Sequence, residues 1–522
     1  MLSEIDFELE AIRIGFEAGQ ANALDKWQTA FEEARRRWQN DRARRLLQIL
    51  KTGQTSDAIL RIVKYYEATL LVNHGEWTKA RKAFEQSIAL CRKIGDSRGE
   101  LRATNGLANL LRRSADHLDS AAEAFDTALQ SNFPESSKVI LLNGKGLLLY
   151  EKGNLDQAQA YFEEVLELAT RTGDQELIAS EFHNLGSIAW TRGRLQEARE
   201  LLQKARDIQQ VSQNLHGEAE TLNSLGLVEE GLGHWGQAIE TYQLALVKME
   251  QVGDFYGQSQ VLVNLGNAYS LRNEIDRALS YLEPAYEIAK ELGNPRLQGQ
   301  SLTALGDAYR INGELEKAIE VLRQAVEIKT KSGESRSLKH NWLSLGATYH
   351  QLKQPQRAQS AYEQALEIAR SQNDRRMMTF ILVNQSALST AQEKFQEAIS
   401  SLTEAKVLAL EGEYHDCLAW VYEQEGDLEL LGQEPNTAHI LEAYSLALWH
   451  ACHFNEYELE NLIHRLGRFW IAHAEDGEGQ VSLWFCDSII HLWQNTDKMG
   501  ECPIVVEEFT RLRETIAHTI DK

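Results

Sequence analysis

The chain has 522 residues, 43% of them hydrophobic, and a formal net charge of −23. The hydrophobic share is ordinary for a folded soluble chain, and the sequence has no apolar run of about 18 residues that could span a membrane. A negative field of this size repels phosphate backbones and anionic lipid, which argues against nucleic acid as the main partner. Six prolines fit long helices joined by short turns. Cys91, Cys417, Cys452, Cys486 and Cys502 are scattered without a CxxC pair. They read as reduced thiols of a cytoplasmic protein. Met1 to Asp6 lacks the basic end and apolar core of a signal peptide.

Residues 1–55 read as an N-terminal helical segment. Ile5–Phe16 and Leu24–Leu50 have the apolar spacing of helices. The second predicted helix carries Arg35, Arg36, Arg37, Arg42, Arg44 and Arg45 against Glu32, Glu33 and Asp41. It is the one basic patch on an acidic chain. It either pairs with acidic neighbours as a solvated face, or docks an acidic partner or the chain's own acidic body.

Residues 56–412 read as an array of about nine helix pairs. The first runs from about Ala58 to Gly95, with the turn Gly75-Glu76-Trp77-Thr78-Lys79-Ala80. The second, about Arg98 to Asn132, carries an insertion near Arg113–Ser120, and the third spans about Ser137 to Gly173. From there the frame is strict. Leu185-Gly186, Leu225-Gly226, Leu265-Gly266, Leu305-Gly306 and Leu345-Gly346 recur every 40 residues. Twelve residues after each glycine stands Ala198, Ala238, Ala278, Ala318 or Ala358, and seven further Ala205, Ala245, Ala285, Ala325 or Ala365. Such periodicity marks a solenoid. A ninth pair, about Arg376 to Gly412, has Ser386 in place of the glycine.

Residues 413–522 read as a degenerate repeat followed by a helical cap. Cys417–Leu431 with Ala438–His450, Glu456–His473 with Gln480–Gln494, and Glu507–His518 have helical patterns. Trp449, Trp470, Trp484 and Trp493 gather here. They either close the open end of the stack or form a surface for a partner or a second copy.

Within one unit, Ser259–Leu271 is the predicted first helix and Asp276–Leu292 the second. Gly153, Gly193, Gly233, Asn273 and Gly313 fall where a left-handed residue ends the first helix. Gly266 and Ala278 remove bulk where two helices cross, with Leu265, Tyr269, Tyr281, Leu282 and Ala285 around them. Pro284 should bend the second helix.

This order of residues (Leu262, Leu265-Gly266, Tyr269, Ala278, Leu282, Ala285) resembles the tetratricopeptide repeat, over roughly residues 58–412. The period of 40 exceeds that family's usual 34 and is similar to the long units of kinesin light chains, the polarity scaffold Pins and the helical arms of bacterial signalling ATPases. Gln210, Glu250 and Lys290 stand where the family commonly has a closing proline. The resemblance implies an all-α, right-handed superhelical solenoid of antiparallel helix pairs, capped by helices at both ends, whose first helices line a concave face. Carried onto this chain, the family's groove stripe gives Asn143, Tyr150, His183, Ser187, Trp190, Asn223, Glu230, Asn264, Asn267, Thr303, Asp307, Arg310, His340 and His350. The asparagines suit an extended peptide, since one amide both donates and accepts. Trp190 and Tyr150 could hold an apolar anchor. His183, Asn223, Asn264 and Thr303 stand where chaperone-binding members need basic residues, so no clamp for a C-terminal carboxylate is expected.

Catalytic signatures are missing. The sequence has no GxxxxGK[ST], HExxH or GxSxG. His450, Cys452 and His453, with His464 and His473 downstream, match no zinc spacing. The tail is too short, and lacks the βα alternation, to hold a caspase-like domain. No metal or cofactor is expected. The expected function is a non-enzymatic scaffold or adaptor for a peptide or protein segment. The alternative is a regulatory sensor, or a regulatory subunit that controls a separate effector enzyme.

Overall fold

The computed structural model describes residues 4–18, 22–36, 40–53, 56–73, 76–112, 118–130, 135–333, 337–431, 436–454, 456–474, 479–495 and 503–520. Residues 1–3, Arg37, Gly75, residues 113–117 of the expected insertion and Cys502 lie outside them, as do the side chains of Arg35, Arg36, Trp77 and His473. The described residues form 26 helices and no strand. The chain divides into two compact units, residues 1–230 with 235–338, and residues 231–234 with 339–522.

The first unit opens with α1 (Glu4–Glu17), α2 (Ala23–Arg36) and α3 (Asn40–Gly53). The single helix expected over Leu24–Leu50 is therefore two. Trp27 and Phe31 share one core with Leu46, Leu47 and Leu50, and Trp27 Nε1 donates to the Leu46 carbonyl at 2.6 Å. On a continuous helix, positions 19 residues apart would be roughly 28 Å distant. Burying both apolar faces requires the chain to fold back. The same core takes in Ile62, Val63 and Tyr66 from α4 (Asp57–Asn73), which pairs with α5 (Trp77–Ile94). The N-terminal helices thus pack onto the first helix pair.

The pairs continue as α6 (Ser97–Arg112) with α7 (Leu118–Gln130), α8 (Glu135–Glu151) with α9 (Leu155–Thr172), and α10 (Gln175–Thr191) with α11 (Leu195–Val211). Next come α12 (Leu215–Gly231) with α13 (Trp235–Val252), α14 (Phe255–Leu271) with α15 (Ile275–Glu291), and α16 (Pro295–Ile311) with α17 (Leu315–Ser332). From Leu155 to Leu315 a helix begins every 20 residues. Each turn is the same device. Gly153 N–H bonds the Tyr150 carbonyl and Asn154 N–H the Leu149 carbonyl, the paired closure of a Schellman motif around a left-handed residue. The expected left-handed residues Gly153, Gly193, Gly233, Asn273 and Gly313 all have positive φ. So do Gly173, Gln213, Gly253, Gly293 and Gly333, which lie between pairs. The 40-residue unit is therefore two 20-residue halves with equivalent turns.

Small residues set the crossings. A Cβ on Gly186 would stand 2.8 Å from Leu202 Cγ, and one on Gly306 2.5 Å from Leu322 Cγ. Gly266 faces Leu282 in the same way, and Ala198, Ala238, Ala278 and Ala318 are wholly buried. α15 runs through Pro284 without interruption.

The second unit contains α18 (Leu338–Gln351, from Lys339 on) with α19 (Pro355–Ser371), α20 (Arg375–Ala391) with α21 (Phe395–Glu411), and α22 (His415–Leu430) with α23 (Thr437–Phe454). It ends with α24 (Glu456–His473), α25 (Gly479–Asn495) and α26 (Pro503–Ile520). The left-handed turns persist at Lys353, Asn373, Glu393 and Glu413, now without glycine. Ser386 is buried at its crossing. Trp470 and Trp493 are core residues with Phe485 and Phe509, whereas Trp449 packs at the edge and Trp484 is exposed. Cys91, Cys417 and Cys486 are free and buried. Cys452 is disulfide-bonded, which corrects the reading of a reduced thiol there, a pairing in space that spacing along the chain does not reveal.

Candidate binding face

Twelve of the fourteen stripe residues lie in the first unit, on the first helices α8, α10, α12, α14 and α16. Seven make side-chain bonds that tie one helix to the next or to its pair partner. Asn143 Nδ2 donates to Glu181 Oε1 at 2.7 Å. His183 Nδ1 lies 3.2 Å from Thr221 Oγ1, and its Nε2 3.4 Å from Ser224 Oγ. Asn264 Nδ2 donates to Asn223 Oδ1 at 2.8 Å. Tyr150 Oη meets Thr191 Oγ1 at 2.7 Å. Glu230 accepts the Tyr242 hydroxyl at 3.0 Å, and Thr303 Oγ1 accepts from Lys329 Nζ at 3.0 Å. These polar rungs hold successive helices in register.

Others of the set face outward. Trp190 is 40% exposed. Asn267 is half-buried, and its side chain has no hydrogen-bond partner among the described residues. Ser187 bonds back to the His183 carbonyl, and Arg310 stands 3.6 Å from Asp307. His340 (exposed) and His350 (half-buried) belong to the second unit, and burial lowers the His350 pKa.

The rungs sit in a low-dielectric setting, and the titrating groups show it. Glu181 is fully buried, and burial pushes its carboxyl up to about 7 against the opposing hydrogen bond from Asn184. Burial raises Glu230 to about 6 despite the Tyr242 hydroxyl. Burial also pushes His183 down to about 4. Glu181 and Thr221 escaped the sequence reading because they lie off the family's groove positions. The available signal was Glu181 itself, an acid set among apolar residues midway along α10.

In the basic helix, now α3, Arg42 stands 3.6 Å from Glu33 of α2, and Arg44 and Arg45 are exposed. Among the described residues no three His, Cys, Asp or Glu side chains are placed to hold a metal. His450 bonds through Nδ1 to His415 Nδ1 at 2.9 Å, and His453 Nδ1 meets the Trp449 carbonyl. No described helix is long and apolar enough to cross a membrane.

A stack of helix hairpins with small-residue crossings and polar rungs between first helices defines an all-α repeat protein of the interaction-scaffold class. The tetratricopeptide repeat profile matches residues 138–210, 178–251, 217–291, 257–331 and 297–371 in overlapping steps. Residues 138–371 are tetratricopeptide repeats. The profile of anaphase-promoting complex subunit 5 also matches residues 48–114 and 375–424. Among solved structures, a Rap protein complexed with competence and sporulation factor is 13% identical, covering 68% of this chain and 98% of its own, at a TM-score of 0.49. Aspartyl phosphate phosphatase F from Bacillus subtilis is 14% identical, covering 70% and 95%, at 0.42. A kinesin-light-chain repeat protein from Podosopora anserina is 23% identical, covering 37% and 96%, at 0.31. No functionally curated protein matches the sequence.

Proposed function

We propose that the chain is a non-enzymatic scaffold that holds a peptide or protein segment along the first-helix face of α8–α16. The observation that supports this most is the division of labour on that face. Asn143, His183, Asn223 and Asn264 are consumed in rungs, while exposed Trp190 and partner-free Asn267 face outward beside them. Rigid rungs keep the surface preorganised, so little ordering cost falls on binding. A large aromatic anchor on α10 and, two helix pairs further on, an amide on α14 that can donate and accept suit an extended protein segment. Action in the cytoplasm belongs to the same reading.

The test is a native pull-down with the full chain against the Trp190→Ala/Asn267→Ala double variant. Loss of the captured stoichiometric partner with an unchanged melting curve supports the assignment. Equal recovery by both proteins contradicts it.

A further inference from the structure

The second unit holds a trough of about 630 Å³ between α21 and α23, floored by α22. Phe395 and Ile399 on α21 line it while 38% and 45% exposed, and Leu446 of α23 lines the opposite wall. The crossing of α22 and α23 beside it has its own register. In the first unit Gly226 faces Tyr242, sixteen residues on, and Gly266 faces Leu282 at the same distance along the chain. Here Gly426 faces Tyr444, eighteen residues on. Four residues before the facing side chain the array has alanine (Ala238, Ala278), whereas α23 has buried Ile440.

The walls suit a helix. Phe395, Ile399, Thr403 and Lys406 form one stripe along α21, and His439, Glu442, Ala443 and Leu446 form another along α23. From Phe395 to Lys406 the stripe is about 16 Å long, or three turns. Four ionised side chains line the trough, Lys406, Glu425, Glu429 and Glu442. Lys406 is already held by both oxygens of Glu425, at 3.0 and 2.9 Å, and lies over the Tyr422 ring. Glu429 accepts the Asn436 backbone N–H at 3.2 Å, and neither it nor Glu442 has a cationic partner among the described residues, so two negative charges stand uncompensated beside the apolar Phe395, Ile399, Leu402 and Leu446.

We infer that this trough docks a basic amphipathic helix of a partner protein. The helix has about three turns, with apolar residues at i, i+3 or i+4 and i+7 inserted between α21 and α23. Its flanking Lys or Arg face Glu429 and Glu442. This surface is separate from the first-helix face, and either can fail without the other.

The experiment uses the full chain and a fluorescein-labelled synthetic helix of about fourteen residues, with leucines on one face and lysines on the other. A control peptide keeps the leucines and replaces lysine by glutamate. Fluorescence anisotropy should show saturable binding of the lysine probe and at least about tenfold weaker binding of the control. Ile399→Asp should weaken the lysine probe about tenfold or more, and Glu429→Lys/Glu442→Lys should remove most of its salt dependence. Both variants alter side chains at the trough surface, and their melting curves should match the parent. Equal affinity for the two peptides, no binding, or unchanged binding to Ile399→Asp overturns the proposal. So does sedimentation that shows a dimer dissolved by Ile399→Asp, which would make a second copy the occupant.

Discussion

The regular pairs α8–α17 and the closing helices α22–α26 bury apolar helix faces with different materials. In the regular pairs, Gly and Ala at each crossing let helices approach closely, and one leucine, phenylalanine or tyrosine side chain faces each crossing glycine. In the closing helices one continuous core is built from bulk. Trp470 stacks on Phe485 at 4.3 Å, Tyr444 meets the same ring edge-on at 5.7 Å, and Trp493 and Phe509 are buried alongside. The small-residue solution repeats, because each pair needs only its neighbours. The aromatic solution ends a chain, since it commits several helices to one cluster.

The largest expected effect is on that cluster. Trp470→Ala should cost about 3–5 kcal/mol. Urea denaturation followed by hydrogen exchange should show α23–α26 losing protection while α8–α17 keep theirs. A uniform loss along the chain would break the contrast between a shared core and a neighbour-by-neighbour array.

The second effect depends on pH. The Glu181 carboxyl, raised by burial to about 7, contributes stability that is fully present below its unfolded pKa and is lost as pH rises through 7. Glu181→Gln should therefore gain on the parent between about pH 4.5 and 7, reaching on the order of 2–3 kcal/mol at pH 8. His183, lowered to about 4, acts in the opposite sense. Its contribution is present above about pH 6.5 and is lost as pH falls through 4. Parallel stability curves for Glu181→Gln and the parent would contradict the buried rung.

Third, Gly266→Leu should cost about 1–3 kcal/mol by overpacking against Leu282. Hydrogen exchange should place the loss in α12–α17, adjoining the altered crossing. The smallest effect concerns the turns. Lys353→Gly or Glu393→Gly relieves a left-handed non-glycine residue and should gain about 1 kcal/mol, read as a higher Tm, whereas Gly313→Ala should lose a similar amount.

These turns also show why the sequence revealed some features and hid others. The 40-residue spacing was legible because the crossings admit only the smallest side chains, Gly and Ala and, at one crossing, Ser386. The 20-residue half-period was hidden, because a Schellman turn accepts Gln213, Asn273, Lys353 or Glu413 at moderate cost. The fold-back between α2 and α3 was hidden because both helices carry a continuous amphipathic pattern, and the burial of Trp27 against Leu46 is a fact of three dimensions. On the binding face, the stripe itself could be read, but the pairing of Asn223 with Asn264 could not, since it depends on which atoms meet across two helices.

In the proposed function the first-helix face, rather than the second-helix face, meets the partner. A photo-cross-linking amino acid placed at Trp190 and, separately, at Val247 of α13, which is 47% exposed, tests it in cells. A discrete adduct is expected from position 190 and little from position 247. Adducts concentrated at position 247, with none at 190, would contradict it.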